Sequence, residues 1–100
     1  MVKAVILNDA DNVATLIEKA EKGDEYLSPK TSPGTEIRIT TDIPFGHKLA
    51  IKSLKQGDLI IKYGRAIGRA TQDIPAGAHV HEHNCEGLKG RGDMKGGNKR

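Results

Sequence analysis

Proline and glycine punctuate this chain so densely that no long helix fits between residues 29 and 77. Pro29, Pro33, Gly34, Pro44, Gly46, Gly57, Gly64, Gly68, Pro75 and Gly77 leave segments of about ten residues. Proline removes a helix donor and clashes with the preceding turn, while glycine marks places where the backbone doubles back. The segments Glu36 to Thr40, Lys48 to Ile51, Leu59 to Tyr63 and His79 to His83 read as short strands.

The glycines also carry a weak internal repeat. An apolar residue stands three before and three after a glycine in Ala20, Gly23, Tyr26; in Ile43, Gly46, Leu49; in Leu54, Gly57, Ile60; and in Ile74, Gly77, Val80. Asp42-Ile43-Pro44-Phe45-Gly46 and Asp73-Ile74-Pro75-Ala76-Gly77 differ at a single position. The pattern predicts a turn that ends at glycine and launches a strand, with the flanking apolar pair tucked beneath it. The N-terminus reads differently. Val2 to Leu7 suits a strand, and Asn8, Asp9, Asp11 and Asn12 are turn or N-cap residues. Val13, Leu16, Ile17 and Ala20 then fall at i, i+3, i+4 and i+7, with Lys22 and Gly23 as a stop, which predicts a helix over 12–22.

At 100 residues with 36% hydrophobic content, the chain supports one core and one domain. The lone Cys85 can form neither an intramolecular disulfide nor a cysteine-rich zinc site, so stability must come from packing. The longest apolar run, Ala4 to Leu7, is far below the ~20 residues of a membrane span, and the chain reads as cytoplasmic with no membrane partner. The net charge of +3 lies in residues 86–100, which hold five basic and two acidic side chains, while residues 1–85 balance. With 3% aromatic residues and a neutral body, the chain lacks the stacking platform of a nucleic-acid binder, and no such partner is expected. The division is therefore a folded domain over 1–85 and a flexible, basic, glycine-rich tail over 86–100.

His79, His81 and His83 alternate with Val80 and Glu82. On a strand the three imidazoles share one face, with successive same-face positions ~6.6 Å apart. Neighbouring pairs can converge on one metal ion, whereas His79 and His83, ~13 Å apart, are at the limit of reach. Two of the three plus a further group would make a metal site; the bland alternative is a solvated strand face.

Ile43-Pro44-Phe45-Gly46-His47-Lys48-Leu49-Ala50 together with Ile74-Pro75-Ala76-Gly77-Ala78-His79-Val80-His81-Glu82-His83-Asn84 resembles the SAF domain of the altronate and galactarate dehydratase family, which includes sulfolactate sulfo-lyase. The resemblance spans roughly residues 2–92 and takes in Leu88-Lys89-Gly90-Arg91-Gly92-Asp93, similar to the tail of free-standing small subunits. It implies a β-clip (SAF-like) fold, which with the periodicity above makes the expected architecture a mainly β single domain with one short N-terminal helix. It also implies the accessory subunit of a lyase that eliminates water, or a similar leaving group, from a hydroxy acid.

In that reading a separate large catalytic subunit completes the site and the small subunit alone is inactive. The resemblance implies a divalent metal ion, with iron or manganese fitting, held by His79 and His81. His47 and His83 are then acid–base groups, and Lys48 and Asn84 contact the substrate. The competing reading is a non-catalytic β-clip module that binds carbohydrate or a protein partner. Cys85 reads as a small, half-buried residue rather than a nucleophile.

Overall fold

The computed structural model describes residues 1–29 and 35–88. The order is β1 (Ala4–Val5), β2 (Val13–Leu16), β3 (Glu25–Ser28), β4 (Thr35–Arg38), β5 (Lys48–Ala50), β6 (Leu59–Lys62), β7 (Arg65–Ala70), β8 (His79–Val80) and β9 (Cys85–Gly87). They form a four-stranded sheet β1-β2-β5-β8, a hairpin β3-β4 and a three-stranded sheet β6-β7-β9, all antiparallel. The expectation of a mainly β single domain holds.

The glycine repeat builds the frame. Gly23, Gly46, Gly57 and Gly77 have φ of 96°, 84°, 94° and 93°, values that L side chains avoid, and each precedes a strand. The flanking pairs Ala20 and Tyr26, Ile43 and Leu49, Leu54 and Ile60, and Ile74 and Val80 are all buried. The turns pair off in two clips: Ala20 bridges Ile43, and Leu54 bridges Ile74. Each clip repeats the same bonding. Glu21 N donates to Asp24 Oδ2 and Lys55 N to Asp58 Oδ2, while Lys22 N donates to Asp42 Oδ1 and Gln56 N to Asp73 Oδ1. The aspartate that opens each Asp-Ile-Pro-x-Gly segment therefore caps the turn facing it.

Two small cores follow. Leu16, Ile39, Ile43 and Leu49 anchor one, and Val13, Ile60, Ile74 and Val80 the other. β2 and β5 run between them, with Val13 and Ala50 facing one core and Ala14 and Leu49 the other.

That position explains why the helix predicted over 12–22 is absent. Residues 13–16 are strand β2, and Ala20 belongs to the first clip. A strand covered on both faces shows no alternation of apolar and polar residues, so its buried Val13, Ala14 and Leu16 mimic a helical stripe. Ile17, which completed that stripe, is 49% exposed.

At the other end, Glu86 and Gly87, expected in the tail, pair with Arg69 and Gly68 of β7. Leu88 N also donates to Ile67 O. The rest of the expected tail lies outside the described residues. Among those described, no helix is long and apolar enough to cross a membrane.

Candidate functional site

The two near-identical turns deliver β5 and β8 side by side and antiparallel, pairing Leu49 with His79 and Lys48 with Val80. One step beyond that ladder, the register brings His47 opposite His81. Successive strand residues alternate faces, so Leu49 and His79 project from one side and Lys48 and Val80 from the other. Val80 is fully buried in the second core, which fixes the orientation of the strand.

β8 ends at Val80, and residues 81–84 form a turn rather than the continuous strand expected over His79 to His83. Asn84 makes this turn. It is 3% exposed, its Nδ2 donates to His79 O at 2.8 Å, and its Oδ1 accepts from His81 N at 3.0 Å. The amide expected to contact substrate is thus committed to the backbone of the two histidines it follows.

The turn keeps the imidazoles together by folding them back. Ring centroids lie 4.4 Å apart for His47 and His81, 5.0 Å for His47 and His79, and 5.4 Å for His79 and His81. His83, exposed at the rim, has its ring 5.3 Å from that of His79. His47 Nδ1 and His79 Nε2 approach to 2.9 Å. One nitrogen from each of His47, His79 and His81 falls within 4.8 Å of the others, so the three could hold a metal ion. His79 and His81, the pair expected as ligands, are both in this group. The structure adds His47 and leaves His83 outside it.

Burial first, and then the neighbouring His47, His83 and His81 rings and the Lys48 ammonium, hold the pKa of His79 down to about 4. Near neutral pH its ring is uncharged and keeps a lone pair available to a metal ion or proton.

Lys48 is half-buried on the opposite face from the histidine rings, where burial and the Lys62 ammonium push its pKa down. Cys85 lies against the second core beside Gly68, and burial pushes its thiol pKa up. It is a half-buried packing residue, as its surroundings in sequence suggested.

Sequence spacing along one strand finds His79 and His81 but cannot find a partner across the sheet. The available signal was the turn motif itself, since both copies lead within a few residues to a histidine.

A small, mainly β domain that presents clustered imidazoles from paired turn-strand units is a histidine-bearing β module. The altronate/galactarate dehydratase SAF domain matches residues 2–88, and the chain belongs to that family. It is 50% identical over 58 residues to (2R)-sulfolactate sulfo-lyase subunit alpha of Paracoccus pantotrophus, covering 56% of this chain and 87% of that one. It is 47% identical over 85 residues to the subunit of the same name from Chromohalobacter salexigens, covering 81% and 90%. It is also 39% identical over 80 residues to altronate dehydratase of Bacillus subtilis, covering 80% of this chain but 15% of that enzyme. The chain therefore spans most of the sulfo-lyase subunits and only a small part of the dehydratase.

Proposed function

We propose that this chain is the small subunit of a sugar-acid dehydratase or sulfo-lyase type enzyme, presenting its histidine cluster to a site that a larger polypeptide completes. The observation that carries the reading is the convergence of His47, His79, His81 and His83 on one rim of a domain matched over most of the length of sulfo-lyase alpha subunits. The reaction class is elimination of water, or of a similar leaving group, from a hydroxy acid. It requires removal of a proton α to a carboxylate and stabilisation of the negative charge that develops.

His79 and His81 would hold a divalent metal ion, which would supply Lewis-acid stabilisation of the substrate carboxylate. His83, exposed at the rim, is the imidazole placed to exchange a proton with substrate. Asn84 is a positioning residue, fixing the backbone from which His79 and His81 project. Lys48, on the far face, acts through the field it adds to the cluster rather than by contact with substrate. Phe45, 69% exposed two residues before His47, is the apolar anchor for the partner.

The test is reconstitution with a large subunit of the dehydratase or sulfo-lyase type. Altronate, galactarate and (2R)-sulfolactate are offered, and 2-oxo acid formation and sulfite release are measured. Turnover of one of these acids by the mixture, and by neither chain alone, supports the reading. Turnover by this chain alone, or none by a mixture that forms a complex, overturns it.

A further inference from the structure

His47 emerges from the sheet geometry in a place that an acid–base role does not require. Its Nδ1 and His79 Nε2 face each other at 2.9 Å. Two imidazole nitrogens bonded to one ion at ~2.05 Å and separated by that distance subtend about 90°, whereas a tetrahedral edge would need about 3.3 Å. In the metal-free chain that spacing is an imidazole–imidazole hydrogen bond, within a few tenths of an ångström of either edge. The third nitrogen, on His81, lies within 4.8 Å of the other two, a gap that side-chain rotation closes. His81 has that freedom because it sits half-exposed in the turn, while Asn84 holds the backbone on which it pivots. The three donors come from one side: His79 projects from β8, while His47 and His81 lie one residue beyond the ends of β5 and β8 and stack on one another.

The donor chemistry narrows the ion. The group consists of three imidazoles and contains no carboxylate. Imidazole suits iron, zinc, nickel and copper, whereas magnesium, calcium and manganese prefer oxygen donors. Of the two metals the family resemblance implies, iron fits this set and manganese does not.

We infer that His47, His79 and His81 form a facial three-nitrogen site that binds a borderline first-row divalent cation on the free chain, with His47 as third ligand. His83 stands outside the coordination sphere. The ion's remaining positions face outward, and a carboxylate with a neighbouring hydroxyl is the bidentate oxygen ligand that fits two of them. Only this last point rests on the lyase reading; metal binding by the chain alone does not.

The experiment titrates the metal-free chain with Co2+, followed by visible absorption, and with Zn2+ and Mg2+, followed by calorimetry. The expected result is saturable one-to-one binding of Co2+ and Zn2+, with no measurable Mg2+ binding. His47→Ala, His79→Ala and His81→Ala should each weaken Co2+ binding at least tenfold, and His83→Ala should leave it unchanged. Gln replaces Ala wherever the metal-free variant melts below the wild type.

No saturable Co2+ or Zn2+ binding by the wild type overturns the inference. So does equal affinity for Mg2+, or a His83→Ala loss equal to that of His47→Ala. Cobalt binding by the free chain, combined with a reconstituted enzyme that eliminates nothing, would refute the lyase reading and leave the metal site standing.

Discussion

His79 sits where three other imidazoles and the Lys48 ammonium converge, and burial limits the water available to screen them. Its folded pKa of about 4 lies below the ordinary 6.5, so between those values the unfolded chain binds a proton that the folded chain refuses. The sign follows: this contribution to stability is fully present above pH 6.5 and is lost as pH falls toward 4. Imidazole NMR shifts should place the His79 midpoint near 4, and chemical denaturation should show His79→Gln flattening the acid limb. A midpoint near 6.5 would contradict the clustered geometry.

In the complex proposed above, His79→Ala and His81→Ala should each lower turnover ten- to a hundredfold or more. Thermal stability of the subunit should change little, because Val80 still packs the opposite face. Steady-state kinetics and a melt of each variant check both halves.

At the scale of elements, the turns carry the fold, and their glycines are not equivalent. Gly46 and Gly77 occupy matching turns with positive φ, but a Cβ on Gly46 would meet open space, whereas one on Gly77 would strike the Arg38 carbonyl. Gly46→Ala should cost about 1 kcal/mol from backbone conformation alone. Gly77→Ala should cost roughly 3 kcal/mol, since the clash falls on backbone that cannot rotate away. Urea denaturation of the two variants compares them directly, and equal losses would mean the second clip is more loosely packed than described.

These turns were legible in the sequence because positive φ and proline restriction are local properties of residue type. The β8 boundary was not. His79 to His83 alternate as a strand would, yet Asn84 bonds back to His79 and His81 and closes a turn after Val80.

For the whole molecule, every described strand lies within residues 4–87. A chain ending at Leu88 should therefore melt as cooperatively as the full chain. A chain ending at Cys85 loses the Gly68–Gly87 and Arg69–Glu86 pairs and should melt lower. Calorimetry on both truncations tests this.

Phe45 is the other whole-molecule question. The matching turn carries Ala76, half-buried, so the turn does not need an aromatic ring there. Phe45→Ala should leave the melting temperature of the free subunit unchanged and weaken its complex with the large subunit tenfold or more, as loss of an interface anchor does. Calorimetric titration of the two subunits measures it.

Residue types alone determined that this chain turns often, builds short strands and carries histidines at i, i+2 spacing, because each property acts over a few neighbouring residues. Tertiary structure decided the rest. Val13 to Leu16 became a strand because two cores, assembled from distant segments, cover both of its faces. His47 joined His79 and His81 because the pairing of β5 with β8 closes 32 residues of sequence into a 2.9 Å contact. Local pattern carries no record of which strand will lie beside which, since that choice is made by the burial of surfaces far apart in the chain.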